Sequence, residues 1–367
     1  MSALVFSTWS AVSPFGVGSE PFRAGIRAGR SAVADLDPQT HPGPFAQAAL
    51  VPDFSAAAYV GKKGTRTMDR VTAIAVTAVG RLLTDGGPEL IARPEETGLV
   101  LGTGSGSVQS IMDFTRDSLV GERPYHVDPA RFPNTVMNRA AGQSAIWHGI
   151  KGPNTTIAGG RLTGLTALSY AARLHRGGHC ARVLCGAAEE YSVQRAWLEW
   201  HGRDGDDRRT PLGEGGAVFL LEAAEDARAA GRPVGARLLT TRFRAFGTPA
   251  GARGALAECI RDALKQAGAS AGDVRLVAPV ETGGVLAGVE EAAVGDALGA
   301  AARPRWLGSR ALLGDTSAAA ASLQFAAVLT VLEEEAAAPG GLALVTAVDR
   351  DGTAGCALLA APTNEEK

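Results

Sequence analysis

The chain has 367 residues, 46% of them hydrophobic, with 47 glycines and a formal net charge of −2. That length and apolar content suffice for a large core, in one big domain or two fused ones. The near-neutral balance carries no basic stripe, which argues against a nucleic-acid partner.

The first six residues have no positive n-region and form too short an apolar run for a signal peptide. The most apolar long stretch, 318–332, includes Ser322, Gln324 and Thr330 and is shorter than a bilayer crossing requires. A cytoplasmic protein with no membrane partner is expected.

In chain order, short apolar runs alternate with longer helical patterns, the signature of a layered α/β fold. Helices are predicted at 67–83, 109–119, 134–148, 163–175, 253–267, 288–298 and 317–335. Strands are predicted at 98–102, 154–158, 182–187, 217–222, 275–280, 342–347 and 355–361. Segments 38–44 and 201–209 read as loops from their Pro, Gly and charge content. Gly268, just past a predicted helix end, suits a left-handed C-cap. Only the last residues, 363–367, read as a polar tail. The strand at 98–102, followed by a Gly/Thr turn and a helix, is echoed by 274–278 followed by Glu281-Thr282-Gly283-Gly284 and a helix. The echo suggests two similar halves, 1–222 and 223–367.

The four cysteines, Cys180, Cys185, Cys259 and Cys356, lack the paired spacing of a zinc site and read as buried, reduced thiols. His175 and His179 have metal-like spacing, but Gly177-Gly178 interrupts any continuous helix presenting both. Surface or capping roles are expected for them and for His148. No metal or cofactor is expected.

Several segments, taken in order, resemble β-ketoacyl synthases. They are Val12-Ser13-Pro14-Phe15-Gly16, the basic stretch Lys62 to Arg70, Phe132-Pro133-Asn134, Lys151-Gly152-Pro153-Asn154, Pro211-Leu212-Gly213-Glu214-Gly215-Gly216, and Arg310-Ala311-Leu312-Leu313-Gly314-Asp315. The resemblance spans nearly the whole chain. It implies a thiolase-like fold of two similar βαβαβ halves in a five-layer α-β-α-β-α arrangement.

The resemblance also locates the chemistry such enzymes use, a cysteine nucleophile and two histidines. A thiolate at a helix N-terminus is activated by the dipole, and the imidazoles stabilise the developing enolate. Counting from Gly152-Pro153, the nucleophile position holds Arg161, and a guanidinium stays protonated. The first histidine position holds Val280 and the second Asp315. All six histidines lie at or before position 201, so no shift of register supplies one to the C-terminal half. Arg350 falls where the family has a gating phenylalanine.

Arg161 lies at a predicted helix N-terminus, where a cation is disfavoured. In the family the cysteine and second histidine nearly touch, so Arg161 and Asp315 are expected to form an ion pair that plugs the pocket. Arg310 and Glu291 stand at the family's Lys and Glu positions, and a buried ion pair is expected there too.

Scaffold motifs kept and chemical positions changed is the pattern of chain length factors. These are the non-catalytic partners of ketosynthases in type II polyketide synthases, where the acyl chain arrives on an acyl carrier protein. Usually a glutamine replaces the cysteine in them, so Arg161 is a departure. The resemblance places tunnel-gate positions at Met112, Thr115 and Leu119, which share one helical face. An ordinary interface or core stripe is the alternative there. Non-aromatic gates would suit an extended, reduced or polyene chain. Val136, Met137, Ala145, Ile146 and Trp147 would form the dimer contact, and the Arg-rich segment 203–209 is a candidate for touching an acidic carrier. Two other readings stay open. One is an autonomous acyltransferase or hydrolase homodimer using Ser317 or Thr316 beside Asp315. The other is a purely structural homodimer.

Overall fold

The computed structural model describes residues 3–334 and 341–362. The polar tail read at 363–367 and the final residue of the helix expected at 317–335 lie outside the described residues.

Ten strands carry the architecture: β1 (Leu4–Ser13), β2 (Thr97–Gly102), β3 (Asn154–Ile157), β4 (Arg182–Glu189), β5 (Gly215–Ala223), β6 (Arg237–Ala245), β7 (Val274–Pro279), β8 (Arg305–Trp306), β9 (Leu342–Asp349) and β10 (Thr353–Ala360). They pair in the order β3-β2-β4-β5-β1-β6-β10-β9-β7-β8. Each half has the same wiring. β2 is parallel to β3 and β4, and β5 is antiparallel to β4 and β1. β7 is likewise parallel to β8 and β9, and β10 is antiparallel to β9 and β6. Strand n of the first half thus matches strand n+5 of the second. The halves join where β1 meets β6, at Val5 opposite Arg237.

The principal helices repeat the pattern in part. α1 (Arg70–Gly86), α2 (Val108–Val120), α3 (Arg139–His148), α4 (Thr163–Arg176) and α5 (Val193–Gly202) belong to the first half. α6 (Pro249–Ala267), α7 (Val289–Leu298) and α8 (Ala320–Glu334) belong to the second. α1, α3 and α4 of the first half answer to α6, α7 and α8 of the second. α1 and α3 cover one outer sheet face, and α6 and α7 cover the other. α4 and α8 lie between the two half-sheets, α8 touching β1 and β5 on one side and β7 and β9 on the other. A helix buried between two sheets needs apolar residues all round, and α8 has Leu323, Phe325, Val328, Leu329 and Val331 buried in the central core. Gly164 lets α4 meet the start of α8, because a Cβ there would lie 2.6 Å from the Ser322 backbone nitrogen. The result is the five-layered thiolase-like fold.

β1 and β6 were not among the expected strands. β1 mixes Ser7, Thr8 and Ser10 among its apolar residues, and β6 carries Arg237, Arg242 and Arg244. Pairing from both sides buries β1 despite its hydroxyls. α5 also emerges from a stretch that ends in the predicted loop 201–209. The helix expected at 134–148 begins only at Arg139, because Pro129–Thr135 forms a 3-10 turn. Gly268 caps α6 in the left-handed conformation, with φ 63°.

Candidate functional site

Arg161 sits in the 3-10 turn Gly160–Leu162 that leads into α4. Gly160 has φ 52°, and a Cβ there would lie 2.3 Å from the Asp349 carboxylate. Glycine therefore lets the end of β9 approach, and Asp349 Oδ2 accepts the Arg161 backbone N–H at 2.7 Å.

The Arg161 side chain turns inward and grips Asp315 with both terminal nitrogens, Nη1 to Oδ1 at 2.7 Å and Nη2 to Oδ2 at 2.5 Å. Such a fork-on-fork pair is the strong geometry for a guanidinium and a carboxylate. Asp315 is held from behind by its backbone. Its N–H donates to Pro211 O at 2.8 Å and its carbonyl accepts from Gly213 N at 2.9 Å.

Two more guanidiniums reach the same carboxylate, Arg203 Nη2 at 2.9 Å and Arg310 Nη2 at 3.1 Å, and the Ser317 N–H donates to Oδ1 at 3.0 Å. Burial by itself would raise the Asp315 pKa, but Arg161, Arg203 and Arg310 hold it well below the usual carboxylate range. Burial likewise opposes charge on Arg161, and Asp315 more than offsets it, raising the guanidinium above its ordinary value.

An outer ring closes the pocket. Asp207 accepts from Arg310 Nη2 at 2.7 Å and from Arg350 Nη2, while Arg350 Nη1 donates to Gly202 O at 2.9 Å. Arg203 Nε donates to Glu199 at 2.9 Å. Gly283 makes room for this ring, since a Cβ there would sit 2.0 Å from Asp207 Oδ1.

Two expectations are corrected here. The Arg310–Glu291 pair does not form: Arg310 turns to Asp207 and Asp315, and Glu291 is exposed on α7. The buried carboxylate is its neighbour Glu290, about 100° further round the helix. Glu290 accepts from Val280 N, Glu281 N, Thr282 N and the Thr346 hydroxyl at 2.8–3.2 Å. Burial pushes it up to about 7 against the pull of those donors. The segment 203–209 is not a free basic patch, because Arg203 is fully buried and Asp207 lies beside it in the network.

Val280 is buried in the central core and offers no polar group at its histidine position. Ser317 and Thr316 flank Asp315, but a carboxylate already accepting five hydrogen bonds and held deprotonated is a poor base. The four cysteines are buried and unpaired, and burial pushes the Cys185 thiol up to about 12. Among the described residues no cluster of His, Cys, Asp and Glu suits a metal, and no helix is long and apolar enough to cross a membrane. His148 is half-buried, its Nε2 2.9 Å from Val76 O, so it ties α3 to α1 rather than standing on the surface.

Met112, Thr115 and Leu119 lie along one exposed face of α2. The Thr115 hydroxyl donates to Ile111 O at 2.8 Å, leaving its methyl outward. Phe132 in the turn 129–135 and Trp197 and Leu198 on α5, two segments that pack against α2, are also exposed, as are Val136, Met137 and Ile146. Trp197 and Leu198 escaped the sequence reading because α5 was not expected. Of the expected contact residues, Ala145 is buried and Trp147 half-buried. Exposed apolar side chains gathered on packed neighbouring segments suit an interaction surface.

The layered fold and the position of this pocket define a condensing-enzyme scaffold. The chain belongs to the β-ketoacyl synthase family: residues 5–227 match its N-terminal domain and residues 237–340 its C-terminal domain. A putative polyketide beta-ketoacyl synthase 2 of Streptomyces halstedii is 32% identical over 96% of this chain and 90% of its own length. The 3-oxoacyl-[acyl-carrier-protein] synthase 2 of Vibrio harveyi is 31% identical over 52% of this chain, and the match spans about half of that relative's length. The structure of the ishigamide ketosynthase/chain length factor is similar at TM-score 0.90 and 42% identity, covering 97% of this chain and 99% of the other.

Proposed function

We propose that this chain is the non-catalytic, chain-length-factor-like subunit of a type II polyketide synthase. Its two halves, 1–222 and 223–367, build one side of a heterodimer with a cysteine-bearing ketosynthase. Its α2 face lines the acyl tunnel where the subunits meet. The acyl chain is delivered by an acyl carrier protein, and the product is a reduced or polyene chain.

The observation that carries this reading is the Arg161–Asp315 fork, which joins the two residues that the resemblance puts at the cysteine and second-histidine positions. The exposed apolar face and the 42% identity to a ketosynthase/chain length factor support the pairing. The test is native mass and malonyl elongation of the chain alone and co-expressed with a cysteine-bearing ketosynthase. A one-to-one heterodimer that elongates, with an inactive chain alone, is expected. A homodimer indifferent to the ketosynthase would overturn the reading.

A thiol alone does not restore condensation. Arg161→Cys still faces Asp315 and Val280 where the histidines would be. Elongation by this variant without a ketosynthase should stay at background, as measured by product mass. Activity well above background would show that the scaffold lacks only the nucleophile.

A further inference from the structure

Glu190 is fully buried at the end of β4, between the N-termini of two helices. Its Oε2 accepts from Val71 N of α1 at 3.3 Å. Its Oε1 accepts from the hydroxyl of Ser107, the N-cap of α2, at 3.1 Å and from Gln109 N at 3.4 Å. Glu189 beside it accepts Gly104 N at 3.2 Å, in the loop leading to α2. This acidic corner therefore fixes where α2 starts relative to the core.

The corner also contains an unmet acceptor. Asp69, the N-cap of α1, uses Oδ1 for Thr72 N, while its Oδ2 is buried without a hydrogen-bond partner. Asp69 acts on Glu190 electrostatically. The charged groups facing the corner are Asp69 and Arg70 at the start of α1, Glu189 on β4, and Arg139 on α3, with Arg195 and Glu199 on α5. Arg70 is engaged by Glu214, and Arg195 directs Nη1 to the Glu190 backbone carbonyl and to Gly213 O. Neither guanidinium hydrogen-bonds the Glu190 carboxyl.

We propose that Glu190 is the positioning residue of the gate helix α2, holding its N-terminus through the Ser107 hydroxyl and Gln109 N while it ties the same corner to Val71 N of α1. Burial first, then Asp69 and Glu189, push the Glu190 carboxyl up to about 8. A raised folded-state value means that this group's contribution to stability is complete below the ordinary carboxylate range and is lost as pH rises through about 8. Above that pH, two or three buried carboxylates repel one another at the base of α2, and the helix start loosens. Calling α2 the gate rests on the proposed function, whereas the positioning of α2 by Glu190 does not.

The first experiment uses the chain alone: amide hydrogen exchange over 104–120, corrected for intrinsic rates, from pH 6.5 to 9. Protection in the unmodified chain should fall several-fold as pH rises to about 8 and level off above it. Glu190→Gln keeps an acceptor for the helix N-termini and cannot ionise, so it should stay protected with a flat pH profile. Asp69→Asn should move the transition to lower pH or flatten it, because one of the charges that raise the Glu190 carboxyl is removed. A flat profile in the unmodified chain, or an equal fall in Glu190→Gln, overturns the proposal. The second experiment measures product length in the heterodimer at pH 7 and 9. Altered length at pH 9 with the unmodified subunit but not with Glu190→Gln supports both the positioning and the gate. Unchanged length with the exchange result intact overturns the gate and leaves the positioning supported.

Discussion

Asp315→Ala should cost this chain about 3–5 kcal/mol of unfolding free energy, the usual penalty for breaking a buried ion pair from one side. Asp315 is the single carboxylate under three guanidiniums, of which Arg203 has no exposed surface and Arg161 is 7% exposed. Its removal leaves those cations buried with Asp207 and Glu199 as the remaining anions nearby. Arg161→Ala should cost less, about 1–3 kcal/mol, because Arg203 and Arg310 still hold Asp315. Urea unfolding of both variants checks the order, and equal costs would mean that the plug is a pair rather than a hub. The acid limb has a defined sign. Burial opposes the Asp315 charge, but the guanidiniums depress its folded-state pKa, so its contribution is present above the ordinary carboxylate range and lost as pH falls through the depressed value. Asp315→Asn should flatten that acid limb.

The hub joins distant parts of the chain. Arg161 comes from the turn before α4, Arg203 from just past α5, and Arg310 and Asp315 from the second half. It therefore clasps the two halves on the side where β4 and β9 end. Apolar packing between α4 and α8 secures the interior behind it. In the proposed reading, a condensing site would need this volume open to a thioester. Here it is filled by groups whose charges satisfy one another.

Much of this was readable from residue types. Position 161 followed from its spacing to Gly152-Pro153, and the absence of histidine after 201 is a property of composition. The apolar periods located most helices and inner strands. What escaped depends on distance and on single-residue register. Glu290 and Glu291 are adjacent acids at the first turn of α7, and Glu290 is the one that meets the donors of Val280, Glu281, Thr282 and Thr346, which only the fold brings to it. Arg203 and Asp207 lie in a stretch whose charge and glycine content mimic a solvated loop, yet partners more than a hundred residues away bury them. Glu190 gave no signal in sequence, because its donors are backbone N–H groups and a hydroxyl that only the fold brings together.

The α2 face makes the sharpest functional prediction. Met112 and Leu119 are 40% and 79% exposed in the single chain, so changes there should alter stability by no more than about 0.5 kcal/mol. They can therefore be enlarged without disturbing the core, which separates a tunnel effect from a folding effect. In the heterodimer, Met112→Trp should shorten the product by one or more extension units, since an indole fills space that a flexible thioether can yield. Leu119→Phe should do the same more weakly, because a phenyl ring adds less volume and Leu119 lies at the far end of the helix. Mass spectrometry of the released chains, beside native mass of the complex, reads both effects. Unchanged length in an intact heterodimer would remove this face from the tunnel wall. Loss of the heterodimer would place it in the contact seam instead, where Thr115, with its hydroxyl spent on Ile111 O, would pack through its methyl.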